Sequence, residues 1–328
     1  MNFSRFRIFF ITLSVLSLVS LFSITYGKYG GFASSITFNG GIRFSILLPP
    51  GTGGDDLKKA ATEAGFDRAQ VRLSDLRSNK YDLELGPDVQ SSISEDLRKL
   101  AAEQREKIAA LRAAGESIPD ELNEKPGVAQ VIEDRLLPKL GINKESVISR
   151  ETIAASYGAN LFWLAVKTLI YTIIAIGLYL TFRFDFPFAL GASFALIHDL
   201  LMTIGFIGAL QIEPSIPVLA AVLTILGYSI NDTIVIFDRI RENVSDRQQA
   251  TIGATVDLAI TQTLSRTLIT SLLTLLALVA LLMSGAESLA DFAVVIIFGI
   301  LVGTYSSIFI ASHFVQFYEE LRGKWKTR

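Results

Sequence analysis

The chain has 328 residues, 50 % of them apolar, with a formal net charge of −2 and no cysteine. Those values exclude disulfides, thiolate metal sites and a cysteine nucleophile, and they argue against a nucleic-acid binder driven by a basic surface. The average conceals two unlike parts. Residues 27–160 carry 20 acidic and 18 basic side chains, whereas the other 194 positions hold only 12 of each sign.

Uncharged apolar runs of the length that crosses a bilayer, about 20 residues, occur six times. They are Ile8–Tyr26, Leu161–Phe182 (interrupted by Lys167), Phe188–Leu210, Ser215–Phe237, Thr267–Met283 (extended backwards through Gln262) and Phe292–Phe317. The fold class expected is a polytopic α-helical membrane protein, one helix and then five, with a small α+β domain between the first two. The first run follows Arg5 and Arg7 and meets no small-x-small cleavage site before Lys28, so it reads as an anchor rather than a removed leader. The domains expected are an anchor helix at 1–26, the α+β domain at 27–160, a five-helix membrane domain at 161–317 and a basic tail at 318–328.

Orientation follows from short-loop lysine and arginine. With the N-terminus inside, the inner segments contain Arg5, Arg7, Arg183, Arg239, Arg241, Arg247, Arg322, Lys324, Lys326 and Arg328. The short outer loops near Gln211–Pro214 and Ser284–Leu289 contain none. Residues 27–160 then lie outside.

Within that domain, residues 36–48 read as a strand bent by a glycine pair, and Asp55 and Asp56 open a helix running to about Gly65. Residues 71–77 and 80–86 read as two strands joined near Ser78–Asn79. Residues 91–115 read as a long solvated helix within an insertion at 91–125, followed by a break at Ser117–Pro126. A helix at Val128–Leu140 and a short strand at Ser146–Ser149 complete the domain. Its charges read as a solvated face.

Ionisable groups in hydrocarbon are costly and need an account. Lys167 can reach the interface with its stem, and Arg183 and Asp185 read as solvated anchors. Asp232 lies inside the fourth run, and at 3.6 residues per turn Thr224, Gly227, Tyr228, Asn231 and Asp232 share a face. On the fifth helix Gln262, Arg266, Thr270 and Thr274 form a second polar stripe, so Arg266 is a candidate partner for Asp232 at similar depth. The third helix adds His198 and Asp199. These groups read either as a static polar lock between helices or as a protonation site whose partner changes. Gly299 and Gly303 form a small-xxx-small pair that suits close helix packing. His313 reads as interfacial.

No HExxH, GxSxG or GxxxxGK[ST] string is present. An aspartyl dyad of Asp199 and Asp232 would need both carboxyls in one cavity. The expectation is therefore no enzyme, no cofactor and no metal, with work drawn from a gradient or a partner.

The strings ALIHDLLMTIG (195–205), GYSINDTIVIFDRIREN (227–243), QTLSRTLITS (262–271) and GTYSSIFIAS (303–312) resemble the SecF family, the smaller membrane subunits of bacterial SecD–SecF complexes within the resistance–nodulation–division superfamily. The family's Asp-Phe-Thr-Gly-Gly string is replaced here by Thr37-Phe38-Asn39-Gly40-Gly41, and its Val-Gly-Pro entrance to the second helix by residues around Ala154-Ala155-Ser156-Tyr157-Gly158. The resemblance implies an accessory subunit of the Sec translocase in the bacterial inner membrane. With SecD and the SecYEG channel, and with YajC and YidC as further candidate partners, it would couple proton flow to late export of unfolded preproteins. It places the family's essential aspartate on Asp232, its arginine on Arg266 and a polar family position on Asp199, while the helical spacing adds His198, Asn231, Tyr228, Gln262 and Thr270 as supporting polar residues. Membrane lipid is the surrounding partner, and nucleic acid is not expected. The alternatives are a stand-alone exporter of lipid or small molecules from the same superfamily, and a translocon scaffold that transports nothing.

Overall fold

The computed structural model describes residues 3–33, 35–75, 78–89, 93–114, 127–153, 155–245, 251–284 and 289–322. The chain divides into two compact units, residues 35–162 and a second unit made of residues 1–34 with 163–328.

The smaller unit opens on a helical turn, α2 (Ile36–Asn39), which follows α1 (Arg7–Ser23) of the other unit in the sequence. Four strands follow: β1 (Gly41–Leu47), β2 (Gln70–Asp75), β3 (Lys80–Leu85) and β4 (Val147–Ile153). Between them lie α3 (Gly54–Glu63), α4 (Ser94–Ala114) and α5 (Val128–Leu140). The sheet is antiparallel in the order β2-β3-β1-β4, which with α3 and α5 is the βαββαβ arrangement of a split βαβ fold. Alternate residues of β1 and β3 point to one face. There Phe44, Ile46, Leu83 and Leu85 pack with Leu57 of α3 and Ile132 and Leu136 of α5 in one core.

The stretch expected to be one strand over 36–48 is split. Ser35 accepts a hydrogen bond from the Thr37 N–H (3.1 Å) and caps α2, and β1 begins only at Gly41, the second glycine of the pair. Gly41 has φ 141°, and a Cβ there would lie 2.2 Å from the Leu85 carbonyl oxygen, so the bend into the sheet requires glycine. β4 is longer than expected because it pairs with β1 as far as Ile153 opposite Gly41, and its Arg150 forms an ion pair with the buried Glu133 of α5. The break expected at Ser117–Pro126 lies outside the described residues.

Among the described residues, six helices are long and apolar enough to cross a membrane. They are α1 (Arg7–Ser23, continued by a π-helical turn Ile24–Lys28), α6 (Ala155–Arg183), α7 (Phe186–Ala209), α8 (Ile216–Ser245), α9 (Ile252–Met283) and α10 (Ala290–Ser306). The last continues through a π turn Ser307–Ala311 into α11 (Ser312–Arg322). The protein is a multi-pass membrane protein with a small sheet domain. α7, α8 and α10 pack most deeply. Leu226, Ile236, Phe237 and Ile240 of α8 meet Leu196 of α7 in one cluster, and Ile225 meets Val295 and Ile300 of α10 in another. α6 and α9 present most of their side chains outward.

Several helices outrun their apolar sequence. α8 continues eight residues past Phe237 and α9 starts at Ile252, ten residues before Gln262. Polar pairs hold these extensions. Gln262 accepts from Arg239 (2.7 Å) and Asn243 (2.9 Å), and Arg183 of α6 pairs with Asp238 (2.9 Å). The last helix likewise runs to Arg322, beyond the boundary expected at 317, where Glu320 pairs with Arg7 (2.9 Å).

Candidate functional site: buried polar groups among the membrane helices

Two carboxylates sit deep in the helical unit, and their surroundings differ. Asp199 of α7 is 0 % exposed. One carboxylate oxygen accepts from the hydroxyls of Ser229 on α8 and Ser306 on α10, the latter at 2.7 Å. The other lies 2.9 Å from His198 Nδ1. The backbone carbonyl of Asp199 takes the Thr203 hydroxyl (2.7 Å). Beside this knot, Ser307 and Thr233 share a hydrogen bond (2.8 Å), and Ser307 donates to the carbonyls of Gly303 (2.9 Å) and Ser229 (3.3 Å). Three helices and the π turn are thus tied at one level.

Asp232 of α8 lies one turn beyond Ser229 and is 3 % exposed. Its Oδ2 has no hydrogen-bond partner. Arg266 of α9 is near enough to act on it electrostatically, yet no hydrogen bond or ion pair within 4.0 Å joins the two. Arg266 itself faces outward from the chain. Nearby on α9, Thr267 is buried with its hydroxyl unpartnered.

The face expected to carry Asp232 is divided. Thr224, Gly227 and Asn231 are exposed, and Tyr228 is half-buried with its hydroxyl unpartnered, whereas Asp232 turns inward with Ser229, Thr233 and Ile236. A helix wheel groups residues within about 100° of one another, and the boundary of the packed face falls inside that group. On α9, Gln262 is exposed and serves the extension described above. Thr270 bonds its own backbone at Arg266 (2.8 Å), and Thr274 does the same at Thr270 (3.0 Å).

Gly299 and Gly303 face α8. A Cβ on Gly299 would meet Ile225 at 2.2 Å, and one on Gly303 would meet Ser229 at 3.0 Å. Their absence of side chain lets α10 approach closely enough for Ser306 to reach Asp199. His198 Nε2 lacks a partner, and His313 is buried on α11. Asp199 and Asp232 share no hydrogen bond, and each Asp199 oxygen is already engaged, so the pair does not have the arrangement of an aspartyl dyad.

Sequence reasoning did not find Ser229, Thr233, Ser306 and Ser307. Their signal was present as adjacent small hydroxyl residues on two apolar helices, a pattern that equally describes close packing.

Residues 135–321 match the family model described as protein export membrane protein SecD/SecF, C-terminal. A Sebaldella termitidis protein translocase subunit SecF is 35 % identical over 312 residues, covering 94 % of this chain and 88 % of the relative. The chain belongs to the SecF family. SecF subunits from Magnetococcus marinus and Rhodobacter capsulatus are 42 % and 37 % identical over 56 % and 55 % of this chain. The matched stretches span about half the length of those two relatives, 58 % and 54 %. Among solved structures, SecDF from Thermus thermophilus, titled a translocon-associated membrane protein, superposes with a TM-score of 0.75 at 31 % identity. It covers 100 % of this chain and 39 % of that one. SecDF in its super-membrane-facing form gives 0.58 at 30 % identity, covering 100 % of this chain and 40 % of that one.

Proposed function

We propose that this SecF-family chain is an accessory subunit of the Sec protein translocase that acts with a SecD partner. It uses the proton motive force to promote late steps of preprotein export across the bacterial inner membrane. The observation that carries the proton reading is Asp232, an enclosed carboxyl with an unpartnered oxygen in helices where an uncompensated charge is costly. In this reading Asp232 gains and loses a proton, its attraction to Arg266 alternates, and α8 and α9 shift relative to one another.

The exposed polar stripe of Thr224, Gly227 and Asn231, with the outward Arg266, supports a protein neighbour rather than lipid on that side, and SecD is the neighbour assigned. SecYEG is the channel served and unfolded preprotein the substrate, with YajC and YidC as further candidates. Both termini face the cytoplasm and residues 27–160 the periplasm. Arg7, Arg183, Arg239 and Arg241 gather at helix ends of one side, while 210–215 holds no lysine or arginine.

The test is purification from membranes followed by an export assay. SecD and SecYEG co-purify, and a proton gradient stimulates export in wild type but not in Asp232→Asn. A variant stimulated like wild type would overturn the proton role.

A further inference from the structure

We infer that Asp199 is a positioning residue for Asp232: by accepting hydrogen bonds from Ser229 and Ser306 it fixes the axial register of α8 against α7 and α10. This rests on the reading of Asp232 as the proton-coupling group. Both Asp199 oxygens are occupied, the group is fully buried, and its donors come from two other helices plus the neighbouring His198. A buried carboxyl group held this way is costly to disturb, because each lost partner leaves a buried polar atom unmatched.

Its position gives it leverage. Ser229 precedes Asp232 by three residues on one helix, so whatever holds Ser229 sets the height of Asp232. One residue of slide is about 1.5 Å along the axis, enough to break a hydroxyl–carboxylate bond. α8 is gripped twice more at the same level. The Ser307 hydroxyl donates to the Ser229 carbonyl (3.3 Å), and it shares a hydrogen bond with Thr233 (2.8 Å). Ser307 begins the π turn Ser307–Ala311. Such turns interrupt the α-helical ladder and recur at functional positions. Here the turn follows directly on Ser306, so the hydroxyls on either side of its start both reach inward.

The glycine groove and the hydroxyl knot have separate roles. Gly299 and Gly303 set how near α8 and α10 lie, a contact that tolerates sliding along the groove. The directional bonds to Asp199 do not. With the pin in place, a change at Asp232 moves α8 together with α7 and α10 as one body. Without it, α8 yields locally and the motion is not transmitted.

The chain has no cysteine, so an engineered pair reports register without background. Thr233→Cys with Ser307→Cys replaces two groups that touch, and its oxidative cross-linking is read in the full chain assembled with SecD in vesicles. Proton flux and export are measured in parallel, without the cysteines. The added variants are Ser229→Ala, Ser306→Ala, their combination, and Asp199→Asn as a substitution that keeps shape and size.

In the double alanine variant we expect cross-linking to fall about tenfold, the shift that loss of a charged hydrogen bond allows. The ratio of export to proton flux falls at least about fivefold. Each single alanine variant gives a smaller change in the same direction. Unchanged cross-linking, or an unchanged export-to-flux ratio, overturns the pin. A double variant that fails to assemble leaves the two single variants and Asp199→Asn to decide by the same two readouts. The underlying reading is judged separately, because Asp232→Asn with wild-type flux would remove the proton role while the cross-linking arm still decides whether Asp199 holds the register.

Discussion

Asp199 and Asp232 are the same side chain at neighbouring levels of one helical unit, yet one is enclosed by donors and the other is not. Three donors close on Asp199 from three sides. Asp232 keeps a buried oxygen without a partner, and Arg266 stands near but unbonded. The difference teaches that burial alone does not mark a working carboxylate. A fully matched one holds helices together, whereas an incompletely matched one has something to gain from a change of proton or partner.

The largest way to break that contrast is to push the helices apart. Gly299→Leu must displace Ile225, which a Cβ would already meet at 2.2 Å. A cost of about 3 kcal/mol is expected for such overpacking, read as loss of assembled protein and earlier unfolding in a detergent–denaturant titration. Undiminished assembly would show that the seam between α8 and α10 is looser than described. Asp199→Ala comes next. It leaves the Ser229 hydroxyl without its acceptor and Ser306 with only the Gly303 carbonyl (3.1 Å), and should cost about 2 kcal/mol in the same titration, whereas Asp232→Ala costs less because fewer bonds are lost.

Arg266 sharpens the other half of the comparison. Arg266→Ala should lower gradient-dependent export about tenfold, with Arg266→Lys intermediate because it keeps the charge but not the guanidinium fork. Equal activity in both variants and wild type would sever Arg266 from Asp232. The smallest effect is expected at Asn231. Asn231→Ala should leave the stability of the isolated chain within about 0.5 kcal/mol while weakening co-purification with SecD. A large loss of stability would mean that Asn231 is packed inside the chain.

Much of this arrangement was legible in the residues. Six apolar runs separated by one charged domain are a direct consequence of bilayer thickness, and the scarcity of charge within them made Asp232 and Arg266 conspicuous. Helix ends were less legible. α8 and α9 extend through Arg239, Asn243 and Gln262, whose mutual bonds sustain a helix after apolarity has ended. Which part of the grouped α8 face is buried within the chain was not legible, because Thr224, Gly227 and Asn231 are as polar or small as the residues that do turn in. The knot around Asp199 escaped because its donors lie on helices far apart in sequence, Ser229 and Ser306 being 77 positions from one another. Only packing brings them together. In the inserted domain, the hydrophobic alternation of β1 was readable, whereas the capped turn before it was not, since Ser35 acts through one local bond.

The central claim is that Asp232 carries the coupled proton. It is tested most directly by proton flux into vesicles containing the SecD-assembled complex, comparing wild type with Asp232→Asn at equal protein content and with Asp199→Asn alongside. The account predicts flux in wild type, none above background in Asp232→Asn, and retained flux with impaired export in Asp199→Asn. Wild-type flux in Asp232→Asn would contradict it.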